Sequence, residues 1–215
     1  MEVTAIDNSK TNTAPFLMYD NCVHPKDQQK IHDAVFDSNF NWSFNKHTAS
    51  EFDEQSKLNL NIYETPQFVH PLIDSKGLVF SAFDYISDII INSVKTNLEM
   101  EIEEVDRMKV NYLHANPNFK HGMYHTPHCD KHLPGKDDEN WISVIYYVND
   151  ADGDTYFFNK FWGEETLELR TISQCPPKKG RLIMFHSTRY HASSCPVDTD
   201  RRVIVNSVFK VKENS

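Results

Sequence analysis

The chain has 215 residues, of which 39% are hydrophobic and 12% aromatic, and its formal net charge at neutral pH is −9. This length and composition predict one folded domain, spanning residues 1–215, with a buried core, and they exclude a disordered chain. The net negative charge argues against binding to nucleic acid through a broad basic surface, although it leaves a local basic patch open.

The N-terminal residues 1–14 are polar, and we expect a loose leader without the apolar segment of a signal peptide. No apolar run in the sequence approaches the length of a membrane span. The four cysteines contain no CxxC pair and are expected to be free thiols: Cys22, Cys129, Cys175 and Cys195. These features predict a cytoplasmic protein that does not bind membranes.

Residues 15–105 are predicted to be a supporting region made mainly of helices. A short strand is expected at 16–19. Pro25 stands where a helix begins, and apolar residues recur at helical spacing from there to about Ser38. A second helix is expected from about Ser75 to Leu98. Its apolar stripe predicts packing against a sheet and consists of Val79, Phe83, Ile86, Ile90 and Val94.

Residues 106–211 have a different pattern, in which short apolar or alternating runs are separated by Pro, Gly, Asn and Asp. These runs are rich in Val, Ile, Tyr and Phe and lie at 108–113, 142–148, 155–158, 166–172, 181–185 and 202–211. Many short strands after two helices predict an α+β chain that is mainly β, with a sandwich or barrel at its C-terminal end. We expect the functional site in this barrel.

A His-x-Asp pair, His128 and Asp130, stands at the beginning of the barrel region. In an extended strand these two side chains point to one face, while Cys129 points to the other. One strand can therefore supply two ligands of a metal site made of two histidines and one carboxylate. Such a facial triad leaves coordination positions open for a co-substrate and O₂. The third ligand has to come from a distant strand.

The pattern by itself leaves the ligand set open, because a chain with 11 histidines and 31 acidic residues contains such pairs by chance. His186 and His191 compete for the distal position. Four further histidines lie near the pair in the sequence: His114, His121, His125 and His132.

Four stretches follow one another in an informative order. They are the His-x-Asp pair, Ile-Tyr-Tyr-Val-Asn at 145–149, Asp-Gly-Asp-Thr-Tyr-Phe at 152–157, and a strand at 177–185 followed by His-Ala-Ser-Ser-Cys-Pro-Val at 191–197. Together they resemble the 2-oxoglutarate- and iron(II)-dependent dioxygenases, in particular the prolyl 4-hydroxylase-like branch. The third stretch has Asp152 where that family has a first glycine, and the fourth has one extra residue. The first 100 residues match no motif of the family.

The resemblance implies a double-stranded β-helix, a jelly roll of the cupin type, whose inner surface holds the site. It also implies Fe(II), 2-oxoglutarate and O₂, with ascorbate as a further factor. Because only His191 opens the His-Ala…Cys-Pro-Val run, the expected metal ligands are His128, Asp130 and His191. The implied reaction couples decarboxylation of 2-oxoglutarate to succinate and CO₂ with hydroxylation of a C–H bond.

The far carboxylate of 2-oxoglutarate needs a buried cation, and an arginine fork matches a carboxylate. With the extra residue counted, the family's position for this cation falls on Arg202 rather than Arg201. Strand alternation agrees, because Arg202 shares its face with Asn206 whereas Arg201 faces the side of the valines. Tyr147 is expected to offer its hydroxyl to the same carboxylate, and Tyr112 is a second candidate. Core packing is the alternative for both tyrosines.

The resemblance favours a peptidyl proline in a flexible protein segment as substrate. The polar stretches 114–126 and 46–57 are candidates for substrate-covering loops, with ordinary surface loops as the equal alternative. A small-molecule hydroxylase, acting on a free amino acid or another metabolite, is the alternative within the same superfamily. A cupin-like barrel that binds metal without catalysis leaves Arg202 and Tyr147 unexplained. A nucleic-acid demethylase is disfavoured, because Val208 stands where that branch has a second arginine and the chain is acidic.

Overall fold

The computed structural model describes residues 14–49, 61–74, 76–78, 81–132, 140–165 and 168–212. This part of the chain contains two helices and eleven strands, and the paired strands are antiparallel. The predicted leader lies outside the described residues except for Ala14. Neither helix has the length and apolar character that a membrane span requires.

The first helix, α1, spans Pro25–Val35 and begins at the proline as predicted, but it ends before Ser38. Pro25 is tolerated in the first turn because its missing N–H would have no partner within the helix. The ring of His24 caps this end, since its Nδ1 accepts a hydrogen bond from the N–H of Lys26.

The second helix, α2, spans Tyr85–Asn97, so the prediction that it begins near Ser75 is wrong. Gly77 and Leu78 form a short strand instead, paired with residues 73–74. Gly77 has a φ of 109°, which a helix does not contain and which glycine adopts without a steric penalty. The turn at Gly77 therefore starts a strand rather than a helix.

The strands form two sheets. In chain order they are β1 Leu17–Asp20, β2 Ser43–Asn45, β3 Gln67–Asp74, β4 Gly77–Leu78, β5 Ile102–His114, β6 Trp141–Tyr147, β7 Thr155–Phe161, β8 Thr171–Cys175, β9 Arg181–His186, β10 Arg189–Ser193 and β11 Arg201–Val211. The larger sheet has the order β1-β9-β6-β11-β5-β3-β2, with β4 paired to β3. The smaller sheet has the order β10-β7-β8.

The predicted strands of the barrel region are present, with two differences. The run at 166–172 was predicted as a strand, but β8 begins at Thr171, and residues 166–167 lie outside the described part. The sequence pattern missed β10, which pairs with β7 and carries His191. This strand is polar apart from Tyr190 and Ala192, so its composition gives no apolar run.

The region 15–105 also differs from its description as mainly helical support. It supplies β1, β2, β3 and β4 to the larger sheet, in addition to the two helices. Pro71 lies within β3, where a proline removes a ladder hydrogen bond, and the register with β5 shifts between Pro71 and Ile73. Pairing with β5 thus stabilises a strand that the local sequence does not predict.

Two apolar cores lie on the opposite faces of the larger sheet. On one face, Ile86, Ile90 and Val94 of the predicted stripe are fully buried against sheet residues such as Val203 and Val205. On the other face, a second core joins the larger sheet to the smaller one and contains Ile145, Phe157, Phe185 and Ile204. The molecule therefore has three layers, and the space between the two sheets is where polar groups of β11 and β10 meet.

The turn before β7 explains why Asp152 replaces a glycine of the family pattern. The Asp152 carboxylate accepts hydrogen bonds from the N–H groups of Val197, Asp198 and Thr199 at 2.7–3.0 Å and so holds the segment after β10. Gly153 is required, because a Cβ there would lie 2.5 Å from the carbonyl oxygen of Ser194. Position 153 thus requires glycine, whereas position 152 tolerates a carboxylate that binds the backbone N–H groups of residues 197–199.

Candidate active site

His128, Asp130 and His191 come together between the two sheets. Each offers one possible ligand atom, and these atoms lie within 4.8 Å of one another. His128 and His191 face each other across an isolated antiparallel bridge, in which each N–H donates to the other residue's carbonyl oxygen at 2.8–2.9 Å. The N–H of Asp130 donates a hydrogen bond to the carbonyl oxygen of Ser187 at 2.8 Å. The expected extended segment is therefore short, yet it places the three side chains together.

Backbone carbonyls fix the orientation of both histidine rings. Nδ1 of His128 lies 3.1 Å from the carbonyl oxygen of Thr126, and Nδ1 of His191 lies 3.1 Å from that of Arg189. Because a carbonyl oxygen only accepts, each Nδ1 carries the proton, and each Nε2 keeps a free electron pair. This is the tautomer that a metal ligand needs.

Asp130 is held as an ionised carboxylate, with its side chain only 4% exposed. Its Oδ1 pairs with Arg107, and its Oδ2 accepts a hydrogen bond from Ser143 at 2.6 Å. Burial alone would raise the pKa of Asp130, but the charge of Arg107 and the hydrogen bond from the Ser143 hydroxyl hold it well below its usual range. Sequence analysis did not identify Arg107 or Ser143, which belong to strands and carry no motif.

Burial also keeps the two histidines neutral. It lowers the pKa of His128 to about 3 and also lowers the pKa of His191. The set therefore consists of two neutral imidazoles and one carboxylate. Those are the protonation states in which these side chains bind a metal.

Arg202 lies at the other end of the same cavity and is 2% exposed. Its Nη2 donates to Thr155 Oγ1 at 2.7 Å, whereas its Nε has no hydrogen-bond partner. Among the residues that the structure describes, no carboxylate forms an ion pair with Arg202. Arginine keeps its charge in proteins, and a buried unpaired charge is costly. The arrangement therefore suits a bound anion. Arg201, in contrast, is exposed and lies over the Phe36 ring.

The two tyrosines of the prediction occupy different positions. The Tyr147 hydroxyl is 2.7 Å from Thr155 Oγ1, and the Arg202 guanidinium lies 5.6 Å from the Tyr147 ring. Tyr112 pairs with Val203 across β5 and β11 and therefore lies on the opposite face from Arg202, near Trp42. The expectation that Tyr112 contacts the co-substrate does not agree with this placement, since strand alternation directs its side chain away from the cavity.

The cavity between the metal-ligand candidates and Arg202 is narrow, with a volume of ≈ 40 Å³, and side chains of both sheets line it. Its wall also contains Gln67, Lys109 and Asn111, none of which the sequence analysis selected. A signal was present in β5, where polar residues 109 and 111 alternate with buried Val110. The N-terminal region contributes Gln67 and Thr48 to the wall, which gives it a part in the site.

The stretches predicted to cover the substrate have different outcomes. The stretch 114–126 is anchored by Phe119, Tyr124 and His125, which are buried, while residues 120–122 between these anchors are exposed. Most of the stretch 46–57 lies outside the described residues, although Thr48 lines the cavity. The competing histidines are engaged elsewhere: His186 with Thr188, for example, at 2.7 Å.

Comparison with known proteins agrees with this geometry. Residues 111–210 match the family model described as the 2OG-Fe(II) oxygenase superfamily. These residues form a 2OG-Fe(II) oxygenase domain, which indicates a 2-oxoglutarate-dependent oxygenase. The family uses Fe(II), 2-oxoglutarate and O₂, so the predicted superfamily and cofactors are confirmed. No match is found among curated protein sequences.

Solved structures with the same fold contain different bound molecules. A prolyl hydroxylase from Trichoplax adhaerens, in complex with a hypoxia inducible factor peptide, is 14% identical, with a TM-score of 0.54 over 93% of this chain and 85% of that one. HygX from Streptomyces hygroscopicus, with nickel, 2-oxoglutarate and hygromycin B bound, is 8% identical, with a TM-score of 0.57 over 91% and 82%. A Pseudomonas putida prolyl-4-hydroxylase is 13% identical, with a TM-score of 0.50 over 92% and 93%. The predicted double-stranded β-helix is confirmed.

His125 is fully buried beside this site, with Nε2 2.8 Å from Thr65 Oγ1 and Nδ1 3.0 Å from Ser193 Oγ. Burial, assisted by the charge of Arg202 and opposed by that of Glu64, lowers the pKa of His125 to about 4. In the unfolded chain a histidine has a pKa of about 6.5. Between these values the unfolded state binds a proton that the folded state excludes, so stability is present above about pH 6.5 and is lost as the pH falls toward 4.

We predict that His125→Gln makes stability less dependent on pH in this window. The slope of the unfolding free energy against pH near pH 5 should fall by up to about 1.4 kcal/mol per pH unit, the value for one linked proton. Urea unfolding of metal-free protein between pH 7 and 4.5 measures both slopes. An unchanged slope would mean that folded His125 accepts the proton.

Proposed function

We propose that this chain is a hydroxylase that holds Fe(II) through His128, Asp130 and His191 and binds the far carboxylate of 2-oxoglutarate at Arg202. The observation that carries the proposal is the buried Arg202 guanidinium, unpaired with any described carboxylate, in the same cavity as the three ligand candidates. Iron, 2-oxoglutarate and O₂ supply the oxidising chemistry when bound.

The protein's own groups position the reactants. The carbonyl groups behind His128 and His191 orient the two imidazoles, and Arg107 with Ser143 orients Asp130. Such outer hydrogen bonds fix ligand geometry and tune affinity for the metal.

At the other end of the cavity, Thr155 accepts a hydrogen bond from Arg202 and forms another with the Tyr147 hydroxyl. Thr155 and Tyr147 therefore hold the Arg202 guanidinium in place. We propose an indirect role for Tyr147 in co-substrate binding, through Thr155. A metal-binding barrel without catalysis would account for the three ligand candidates, but it would leave Arg202 buried without a purpose.

For the substrate, we propose a peptidyl proline, on the strength of the His-Ala…Cys-Pro-Val run that begins at His191. The second candidate is a small molecule such as a free amino acid. The polar wall formed by Gln67, Lys109 and Asn111 favours this second candidate, because it offers hydrogen-bonding groups inside the cavity. The fold accommodates both kinds of ligand, a peptide in the Trichoplax enzyme and hygromycin B in HygX.

Removing a metal ligand should abolish iron binding. We expect His128→Ala, Asp130→Ala and His191→Ala each to lose iron during gel filtration and to form no succinate from 2-oxoglutarate. His186→Ala is the control, because this histidine lies nearby but bonds to Thr188, and it should retain iron. Full activity of Asp130→Ala would contradict the assignment. Circular dichroism of each variant separates loss of metal from loss of fold.

The two neighbouring arginines provide a matched comparison. Arg202→Met should raise the KM for 2-oxoglutarate by about thirtyfold or more, corresponding to the ~2 kcal/mol lower end for breaking a buried charged pair. Arg201→Met should leave this KM nearly unchanged, because Arg201 is exposed. Rates of succinate formation against 2-oxoglutarate concentration measure both values. The reverse result would move the anchor to Arg201.

A proline-containing peptide should accelerate succinate formation and gain one oxygen atom on its proline. Mass spectrometry of a peptide panel incubated with iron, 2-oxoglutarate and ascorbate measures this product. Peptides in which alanine replaces proline are the control and should remain unmodified. If free proline or another metabolite stimulates turnover while the peptide panel does not, the small-molecule alternative replaces the peptidyl substrate.

A further inference from the structure

Lys109 extends a positive charge into the cavity without a counter-ion. It lies on β5, opposite Asn206 of β11, and it lines the same cavity as His128 and Asp130. The side chain is mostly buried, yet among the described residues its amine has neither a hydrogen-bond acceptor nor an ion-pair partner. Lys131, by comparison, pairs with Asp106.

The charges of the proposed complex do not neutralise Lys109. Fe(II) contributes two positive charges, 2-oxoglutarate two negative charges, Asp130 one negative charge and Arg202 one positive charge, so this set is already neutral. Arg107 also forms an ion pair with Asp130, but its side chain is 32% exposed, so solvent screens its charge. Lys109 therefore remains as an excess positive charge in the cavity, where it favours an anion.

Lys109 and Arg202 enter the cavity from different ends of its wall. Arg202 pairs with Leu113 and Asn206 pairs with Lys109, so four residues of β11 separate the two positions. At the rise of a strand this is about 13 Å along the wall. Lys109 follows Arg107 by two residues on the same face of β5, and Arg107 pairs with Asp130, so Lys109 lies at the metal-ligand end of the wall.

Next to Lys109 on the same face, Asn111 presents an unsatisfied acceptor. The amide nitrogen of Gln67 donates to the carbonyl oxygens of His47 and Thr48, so its Oε1 is the atom that faces Asn111. Asn111 therefore donates through Nδ2 to Gln67 at 3.1 Å, and its Oδ1 is buried without a partner. The backbone carbonyl groups thus orient Gln67, and Gln67 orients the Asn111 amide so that its Oδ1 can accept a hydrogen bond from an N–H donor.

We propose that Lys109 binds a carboxylate of the substrate and that Asn111 accepts a hydrogen bond from an N–H group of the same molecule. The substrate class is then an α-amino acid, either free or as the C-terminal residue of a peptide. This inference rests on the proposed iron- and 2-oxoglutarate-dependent function and specifies which group the substrate presents. A peptide substrate would enter by its C-terminal residue rather than by an internal segment.

The test compares acids with their amides in binding and in turnover. Protein loaded with Mn(II) and 2-oxoglutarate is titrated by calorimetry with the free L-amino acids, the same amino acids as amides, and proline-ending peptides with free or amidated C-termini. Succinate formation is then measured with Fe(II). The variants are Lys109→Met, Lys109→Arg and, as a surface control, Lys95→Met on α2.

We expect at least one acid to bind at least about tenfold more tightly than its amide and to accelerate succinate formation. Lys109→Met should abolish this preference while the KM for 2-oxoglutarate stays within about twofold of the unmodified value. Lys109→Arg should keep part of the preference, and Lys95→Met should keep all of it. The free amino acids and the peptides distinguish the two sources of the carboxylate.

Three results would overturn the inference: no acid binds, amides bind as well as acids, or Lys109→Met raises the KM for 2-oxoglutarate about tenfold, which would assign Lys109 to the co-substrate. Failure of the proposed function gives a different pattern. In that case the unmodified protein retains no iron and releases no succinate, whatever compound is added.

Discussion

The antiparallel pairing of β11 with β5 and β6 is the constraint on which the other features depend. Because neighbouring side chains of a strand point to opposite faces, β11 places Val203 and Val205 against the helices and Arg202 and Asn206 between the sheets. A shift of the register by one residue would exchange these two sets and place a guanidinium in the apolar core. The apolar face of β11 therefore fixes the position of the cation in the cavity.

The charges of the site divide into compensated and uncompensated groups. Asp130 is buried but receives hydrogen bonds from Arg107 and Ser143, so the folded protein already stabilises its negative charge. Arg202 and Lys109 are cations for which the described residues provide no carboxylate. Burying such charges costs stability, and a protein retains them when a bound anion supplies the missing partner. The proposed anions at the two ends of the wall, the co-substrate at Arg202 and the substrate carboxylate at Lys109, would supply these partners.

The N-terminal region completes the site as well as supporting the sheet. Asp20 of β1 pairs with Arg181 of β9 and attaches the first strand to the edge of the larger sheet. Gln67 of β3 orients Asn111, and Glu64 accepts a hydrogen bond from the N–H of Thr126, close to His128. A region without any family motif therefore contributes groups to the wall of the cavity. This division suits a superfamily in which the same metal core serves different substrates.

The sequence by itself determined the superfamily, the jelly-roll fold and the choice of Arg202 over Arg201 as the residue that faces the cavity. The superfamily and the fold followed from the resemblance of four motifs in one order, and the choice of Arg202 followed from the family's position for the cation and from strand alternation. The polar strand β10, the strands of the N-terminal region and the start of α2 at Tyr85 were decided by tertiary structure. Each depends on a partner distant in sequence, or on the backbone angle of Gly77.

The same distinction applies within the site. Strand alternation predicted the inward face of β11, but the resemblance also suggested Tyr112, which the pairing of β5 with β11 directs to the opposite side. Arg107, Ser143, Lys109 and Asn111 belong to no motif, and only their convergence around one cavity gives them a role. Local patterns determine which face of a strand is polar. Which polar faces meet is decided by the pairing of strands that are far apart in sequence, because that pairing sets the distances between their side chains.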